Sequence, residues 1–370
     1  MFRVSRNARF SGTSGRELLE ELEQAISQAL PRAWGLTIEP EARRGDLRFD
    51  AVFRIDAPDG GRATVVAEVK SSAEPRAVLA SLGRMRHIRS AASADAIVLA
   101  APFVSPLTRD HLAQAGIGWF DRTGNMMLAL DRPSVLIRRY GADRNPFSNP
   151  ADRRLKSLRG PGAARVVRSL LEIELPVGVR DLAMRAEVGA ATSARVVDLL
   201  DREGLVERST GKLIAEVRRR PLTYRWTADY GLTSSNDVEP MMDPRGLDHA
   251  LDRLRSGDDQ YLVTGSAAAR ACLPADVLPV APLTTLVIYA ERPRRIARDI
   301  GLRTPSRGAN VLLVRPFDDV LTKGAFVEGG IRYAAAPQAV ADLLTGPGRS
   351  TEEAEQLMDL MAEQDPRWAA

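Results

Sequence analysis

The N-terminal part of the chain alternates between helical and strand-like hydrophobic patterns. Apolar residues recur at helical spacing over residues 14–30, and two strand-like runs, "LRFDAVFRI" and "ATVVAEVKS", flank the turn "APDGG". A helix from Pro75 to about Ala92 precedes the apolar run "DAIVLAAPFVS", the short helix "PLTRDHLAQAG" and a final strand pair around Thr-Gly-Asn. This order of helices and strands predicts a mixed α/β layer domain over residues 1–145.

A change of composition marks the end of this first domain. Residues 141–162, "GADRNPFSNPADRRLKSLRGPG", are rich in Pro, Asn, Gly and Arg, which indicates a linker. Beyond it, "AARVVRSLLEI", "VRDLAMRAEVG" and "AATSARVVDLLDREGLV" have helical patterns, and "LVERSTGKLIAEV" predicts two short strands around Thr-Gly-Lys. The order helix, short helix, tight turn, helix and hairpin is typical of the winged helix-turn-helix motif. Residues 160–228 therefore resemble winged helix-turn-helix transcription regulators.

This resemblance implies where DNA contacts would lie. In such a motif the second helix enters the major groove, and its N-terminal residues lie at the base edges. Here that helix starts near Ala190, whose small side chain allows close approach. The contacts expected from the helix start, the hairpin and the segment after it are Thr192, Ser193, Arg195, Arg208, Lys212, Arg218, Arg219 and Arg220. The alternative is a winged helix that contacts only protein.

The C-terminal part, residues 240–370, has an α+β pattern. The phrase "VTGSAAA" after a predicted strand resembles the Gly-Ser turn that begins a nucleotidyltransferase fold. In that family the next strand carries two metal-binding carboxylates two residues apart. Tyr289 and Glu291 stand at those positions here, and one carboxylate cannot readily hold a two-metal clamp. The resemblance therefore implies a nucleotidyltransferase-like domain that is inactive.

Three phrases in the second half of the chain carry a wider resemblance. The segments "RWTADY", "GANVLLVRPFDDV" and "APQAVADLLTGPGR" behind a winged helix resemble AbiEi-type antitoxins of type IV toxin–antitoxin systems, over residues 160–365. The resemblance implies a DNA-binding, self-regulating repressor and names a toxin as a partner. Because winged-helix regulators usually meet two half-sites as dimers, a homodimer is a further expected partner. The N-terminal domain departs from the shortest family members, in which the winged helix comes first.

A second chemistry is suggested by the first domain. Asp50, Glu68 and Lys70 match the skeleton D-(x)n-E-x-K of the restriction-endonuclease-like (PD-(D/E)xK) families, although Phe49 replaces the usual proline. The resemblance implies that Asp50 and Glu68 hold Mg²⁺ against a phosphate while Lys70 positions the attacking water. The alternative is a Glu68–Lys70 ion pair on one strand face, worth less than about 1 kcal/mol, in a scaffold without catalysis.

Composition and charge narrow the function classes. The chain is 44% hydrophobic and 27% charged, which is globular composition, and its single cysteine and three histidines argue against a disulfide framework and a zinc site. The chain lacks an apolar run of the roughly 20 residues that a membrane helix needs, and its start lacks a signal-peptide core, so a cytoplasmic setting is expected. Residues 151–229 carry 16 Lys/Arg and 11 Asp/Glu, which favours contact with a polyanion.

The sequence thus predicts an α/β domain followed by a winged helix and an α+β domain. The expected function is sequence-specific binding of double-stranded DNA by a transcriptional regulator, either a repressor or an antitoxin-like autoregulator, that needs no cofactor. The alternative is a Mg²⁺-dependent DNA endonuclease that uses Asp50, Glu68 and Lys70. A third class is an interaction scaffold without either activity.

Overall fold

The computed structural model describes residues 12–44, 47–147, 154–256, 261–347 and 350–369. The chain divides into two compact units, one made of residues 1–153 and 202–204 and the other of residues 154–201 and 205–370. The mixed α/β class expected from the sequence is confirmed. The predicted winged helix and the predicted C-terminal domain share the second unit.

The first unit is built around one mixed sheet. Its elements are α1 (Gly12–Ala29), β1 (Gly35–Pro40), β2 (Arg43–Arg44), β3 (Leu47–Arg48), β4 (Ala51–Asp56), β5 (Arg62–Val69), α2 (Pro75–Ala91), β6 (Ala96–Ala101), α3 (Pro106–Gln114), β7 (Gly118–Asp121), β8 (Met126–Leu130) and β9 (Val135–Arg139). The strand order is β1-β4-β5-β6-β7-β8-β9, and β2 and β3 pair separately. Strands β5, β6 and β7 run parallel, so their carboxyl ends lie at one edge of the sheet.

Alternation along the central strands separates the two faces of this sheet. Apolar side chains of one parity, such as Phe53 and Val65, pack with α1, whereas those of the other parity, such as Val66 and Leu99, pack with residues of α2 and α3. Successive strand residues point to opposite faces. Glu68 has the same parity as Val66, so it faces α2 at the carboxyl end of β5.

The second unit combines the predicted winged-helix segment with a larger mixed sheet. Its elements are α4 (Pro161–Glu172), α5 (Val179–Arg185), α6 (Ala190–Arg202), β10 (Val206–Arg208), β11 (Ile214–Val217), α7 (Arg219–Thr227), α8 (Leu232–Ser235), β12 (Asp237–Met241), α9 (Leu247–Arg255), β13 (Tyr261–Thr264), α10 (Ser266–Cys272), β14 (Leu286–Ala290), α11 (Pro293–Ile300), β15 (Val311–Arg315), β16 (Phe326–Glu328), β17 (Ile331–Tyr333), α12 (Ala336–Leu344) and α13 (Ser350–Gln364). The larger sheet has the order β12-β15-β14-β13-β17-β16.

Helix α12 explains why this unit is continuous. It is apolar on most sides, and Ala339, Val340 and Ala341 are fully buried. A helix that is hydrophobic all round must be enclosed by other elements. Helix α12 accordingly packs against α4 and α7 of the winged-helix part and against α10 and α13 of the C-terminal part. Within the described ranges, no helix combines the length and the apolar character that crossing a bilayer demands.

Candidate functional site

The segment that the sequence predicts to be a helix-turn-helix contains the helices α5 and α6. The turn between them contains Glu187 with a φ of 53°, and the Gly189 carbonyl accepts hydrogen bonds from the amides of Thr192 and Ser193 at the start of α6. The Ser193 hydroxyl donates to the Val179 carbonyl at 3.2 Å, which ties α6 to α5. Because Val196, Val197, Leu199 and Leu200 are buried on one side of α6, its opposite side is left outward.

A short hairpin stands beside this helix pair as the wing. Strands β10 and β11 pair antiparallel, and Val177 exchanges backbone hydrogen bonds of 3.0 and 2.9 Å with Ile214. At the tip, the Lys212 amide donates to the Ser209 carbonyl at 2.9 Å while Lys212 has a φ of 60°. The turn is thus closed by its own backbone, and the Lys212 side chain is exposed.

Three of the predicted DNA contacts are accessible on this motif. Arg195 and Lys212 are exposed and Thr192 is half-buried. The Arg195 Nε donates to the Ala191 carbonyl at 3.2 Å, so the side chain lies back along α6 towards its N-terminus. Ala190 and Ala191 at that N-terminus are exposed as well. The start of α6 therefore presents a cation and a hydroxyl on an open surface.

The structure differs from the sequence prediction at Ser193, Arg219 and Arg220. Ser193 is fully buried. Arg219 is 6% exposed and donates to Asp365 at 2.5 Å and to the Ile173 carbonyl at 2.7 Å. Arg220 forms ion pairs with Glu355 and, at 2.8 Å, with Asp359. Acidic residues of α13 and the segment after it thus take up both cations, so we exclude these three residues from the interface.

Two further predicted contacts form ion pairs inside the winged helix. Arg208 pairs with Asp198 of α6, and its side chain is about three-quarters buried. Arg218 lies 3.7 Å from Glu207, with roughly a third of its side chain exposed. Since Arg208 joins the wing to α6, it fixes the position of the wing, whereas Lys212 remains directed outward.

In the first unit, Asp50, Glu68 and Lys70 come together at the carboxyl end of β5. The register that pairs Ala51 with Ala67 sets Asp50 opposite Glu68. The Asp50 Oδ2 accepts a hydrogen bond from the Val69 amide at 2.7 Å, and the Lys70 Nζ lies 2.6 Å from the Glu68 Oε1. Glu68 is 7% exposed, whereas Asp50 is exposed. The D…ExK pattern is therefore one spatial cluster.

A further cation joins this cluster from α2. The Arg84 guanidinium binds the same Glu68 Oε1 that Lys70 contacts. The Glu68 Oε2 is buried and has no hydrogen-bond partner among the residues that the structure describes. Burial lowers the pKa of Lys70, and the negative charge of Asp50 opposes that shift. The sequence analysis did not assign Arg84 to the site because it lies 16 positions from Glu68.

These contacts do not fit the Mg²⁺ that the resemblance implies. A carboxylate binds a hard divalent ion through its oxygens, but the Glu68 Oε1 is already held by Lys70 and Arg84. Glu17 and Glu21 on α1, whose carboxylates could supply a further ligand, each lie 3.1 Å from Arg122. Within the described ranges, no three His, Cys, Asp or Glu side chains are placed to hold a metal together. We therefore derive no step through a metal at this centre.

The sequence analysis missed a second buried carboxylate, Asp342 on α12, which is 1% exposed. It accepts hydrogen bonds from the hydroxyls of Tyr230 at 2.6 Å, Tyr289 at 2.8 and 2.9 Å and Thr264 at 2.5 Å, and from the Gln338 amide at 2.9 Å. Burial raises the pKa of Asp342, and it also raises the pKa of Tyr230 and of Tyr289. The signal for it was an aspartate inside the apolar run "AVADLL".

The Asp342 cluster also accounts for Tyr289, which the sequence analysis placed where a nucleotidyltransferase carries an acid. Tyr289 is 1% exposed and is bonded to Asp342, while Glu291 at the other expected position is exposed. Tyr289 therefore serves internal packing. Comparisons with protein-family models, with curated proteins and with solved structures found no match for this chain.

Proposed function

We propose that this protein binds double-stranded DNA through the start of α6 and the β10–β11 wing and acts as a sequence-specific transcriptional regulator. The observation that carries the proposal is the outward-facing start of α6. There Arg195 is exposed and Thr192 is half-buried, and Lys212 is exposed on the adjacent wing. The function implies a cytoplasmic location. A toxin partner and autoregulation are further parts of the proposal that rest on the AbiEi-type resemblance alone.

The chemistry of this surface suits a duplex. Ala190 and Ala191 leave room for the helix end to approach a groove closely. The free amides at a helix N-terminus favour phosphate, and a threonine hydroxyl can bond either a phosphate or a base edge. Arg195 follows Ala191 by one turn, so its guanidinium lies on the same exposed stripe, where arginine can bond the two acceptors of guanine.

Charge balance on the motif favours the same surface. The acidic residues Asp198 and Asp201 lie later on α6, away from its exposed start. Asp198 is paired with Arg208, so this acidic charge is offset where the wing meets the helix. Lys212 at the wing tip is then well placed for an adjacent phosphate. Because the Lys212 backbone is closed into a turn, little ordering is needed on binding.

The test begins with selection of a binding sequence from a random duplex library. Affinity for the selected duplex is then measured by fluorescence anisotropy over a range of salt concentrations. We expect Arg195→Ala and Lys212→Ala to weaken binding, with Lys212→Ala lowering the slope of log affinity against log salt by roughly 0.9 if one phosphate contact is lost. A homodimer on two half-sites would select a palindrome with half-sites one helical turn apart.

Two matched controls also remove one arginine each. Arg294→Ala changes an exposed residue of α11, and Arg220→Ala changes a residue paired with α13. Both should leave DNA affinity unchanged. The proposal fails if Arg195→Ala and Lys212→Ala bind as tightly as the wild type. Nicking of a plasmid in Mg²⁺ that is lost in Glu68→Ala would instead favour the endonuclease alternative.

A further inference from the structure

The Glu68 cluster differs from the D…ExK pattern because it contains a second cation, Arg84. We propose that the Arg84 guanidinium supplies the positive charge that a divalent cation would supply, so that the cluster of Asp50, Glu68, Lys70 and Arg84 is complete without a metal. This inference concerns the first unit and is independent of DNA binding by α6.

The position of Arg84 on α2 makes this contact a built feature of the fold. Met85 and Ile88 of α2 are buried against the sheet face that also carries Val66 and Leu99. Arg84 precedes Met85 by one residue and Ile88 by one helical turn, so it lies along the edge of the packed side of α2. Its guanidinium can therefore reach the buried Glu68 carboxylate while 56% of the side chain stays exposed.

Both cations converge on one atom of Glu68. The Lys70 Nζ and the Arg84 Nη2 contact the same oxygen, Oε1. In a metal-dependent centre that carboxylate would direct its charge at the ion, and a single lysine would stand nearby. Here the Lys70 ammonium and the Arg84 guanidinium already neutralise the Glu68 carboxylate, and the Glu68 side chain is only 9% exposed. Burying that carboxylate without such pairing would be costly.

The charges of the whole cluster also balance without an ion. Asp50 and Glu68 contribute two negative charges, and Lys70 and Arg84 contribute two positive ones. A divalent ion added between the two carboxylates would leave a partly buried cluster with a net charge of two, and it would lie beside two like charges. Like charges at close range disfavour binding. Removal of the Arg84 charge should relieve half of that excess.

The unpartnered Glu68 Oε2 allows the role of Arg84 to be tested by cation binding. In the described part of the chain this buried oxygen accepts no hydrogen bond, so it is the atom that could bind an added cation. The exposed Asp50 carboxylate lies opposite Glu68 across the β4–β5 pair and could supply a second oxygen. The Arg84→Gln variant keeps a donor for Oε1 and deletes the charge. It should therefore reveal a cation site that the wild type lacks.

The experiment titrates Mn²⁺ into the full-length chain and follows free Mn²⁺ by electron paramagnetic resonance. We expect the wild type to take up no more Mn²⁺ than Glu68→Gln does, and we expect Arg84→Gln to bind Mn²⁺ at least about tenfold more tightly than the background sites that all variants share. Arg86→Gln, an exposed neighbour on α2 with the same change of net charge, should behave as the wild type. Adding Glu68→Gln to Arg84→Gln should abolish the uptake.

Two results would overturn the proposal. The first is Mn²⁺ uptake by the wild type that disappears in Glu68→Gln, because Arg84 would then coexist with a metal. The second is an absence of uptake in a folded Arg84→Gln variant, because the Arg84 charge would then not be what completes the cluster. Circular dichroism checks that the variant is folded. If it is not, the titration of wild type against Glu68→Gln decides the question.

Discussion

Two buried carboxylates, Asp342 in the second unit and Glu68 in the first, are satisfied in opposite ways. Asp342 is enclosed, and both of its oxygens accept hydrogen bonds from neutral donors such as Tyr230 and Thr264. Glu68 lies near the surface, where one oxygen is held by Lys70 and Arg84 and the other has no partner in the residues described. Neutral donors satisfy the Asp342 carboxylate, whereas the charged side chains of Lys70 and Arg84 pair with the Glu68 carboxylate.

This difference separates a structural group from a candidate functional one. Buried polar groups in folded proteins are nearly always hydrogen-bonded, and a fully connected network makes a core specific. The Asp342 network connects the segment after α7, two strands of the larger sheet and α12, so it holds the winged-helix part to the C-terminal part. The Glu68 Oε2 is an exception to this rule in the described part of the chain, and the charge of its carboxylate is instead balanced by Lys70 and Arg84 at Oε1.

The largest effect on the free energy of unfolding is expected at Asp342, whose hydrogen-bond network leaves neither carboxylate oxygen without a donor. Asp342→Ala removes the acceptor of the buried Tyr230, Tyr289 and Thr264 hydroxyls, and the Gln338 amide keeps only its 3.3 Å contact with the Tyr230 hydroxyl. Unsatisfied buried groups cost about 1–3 kcal/mol each, so we expect the free energy of unfolding to fall by about 3 kcal/mol or more. Urea unfolding followed by Trp fluorescence measures this, because the Trp226 ring stacks on Tyr230 with 4.8 Å between centroids.

The control for this prediction is Asp299→Ala on α11. The Asp299 side chain is 56% exposed and lies 3.5 Å from Arg295, so its loss should change stability by less than about 0.5 kcal/mol. Equal effects of the two substitutions would mean that the Asp342 network contributes nothing beyond an ordinary surface carboxylate.

The second prediction concerns how the free energy of unfolding depends on pH through Asp342, and its effect is smaller than that of Asp342→Ala. Burial raises the pKa of Asp342 above its ordinary value of 3.8. The folded protein then binds this proton more tightly than the unfolded chain does. The free energy of unfolding therefore falls as pH rises from 3.8 to the folded-state pKa, by at most about 1.4 kcal/mol per pH unit, and is level above it.

The measurement compares the wild type with Asp342→Asn, in which this group no longer titrates. All other groups contribute equally to both proteins, so the stability of the wild type minus that of the variant isolates Asp342. We expect this difference to decrease as pH rises above 3.8 and to become level once pH passes the folded-state pKa of Asp342. A difference that increases with pH would show that the hydrogen bonds outweigh burial and that the pKa of Asp342 is lowered.

The same comparison explains how far the sequence could be interpreted. Local patterns predicted α1, β5, β6, the helices α4 to α6 and the strands β10 and β11, because each of these elements has its own pattern of apolar residues. Strand β1 was missed, since it is an edge strand whose residues are mostly exposed and which ends at Pro40. Edge strands bury little, so their pattern is weak.

The segment after α7 is rich in Gly, Ser, Thr and Asn, a composition that is typical of a linker. In the structure those residues bond within the fold. The Gly231 amide donates to Ser235 at 3.0 Å, and the Asn236 side chain donates to the Leu232 carbonyl at 2.9 Å. Polar composition therefore marked a capped short helix, α8, and the two predicted domains on either side of it belong to one unit.

The candidate sites were predictable in residue type but not in partner choice. The exposed positions Arg195 and Lys212 follow from the motif itself. The pairing of Arg219 with Asp365, 146 positions away, and of Arg84 with Glu68 depends on how distant segments pack. A basic run in a sequence cannot indicate which of its charges are neutralised by acids from elsewhere in the chain.

The smallest effect on the free energy of unfolding is expected at Glu68, whose Oε2 has no hydrogen-bond partner in the described part of the chain. In Glu68→Gln the amide oxygen can still accept from Lys70 and Arg84, and the new NH₂ group can take the place of the unpartnered Oε2. The change removes two ion pairs in which Arg84 is 56% exposed and Lys70 is 22% exposed, and pairs with such access to solvent contribute little. We expect the free energy of unfolding of the first unit to change by less than about 1 kcal/mol, well below the loss in Asp342→Ala. Urea unfolding followed through Trp34 and Trp119, both in the first unit, measures it, with Trp226 and Trp368 replaced by Phe in both proteins. A loss as large as that of Asp342→Ala would mean that the two cations hold Glu68 as firmly as the neutral donors hold Asp342.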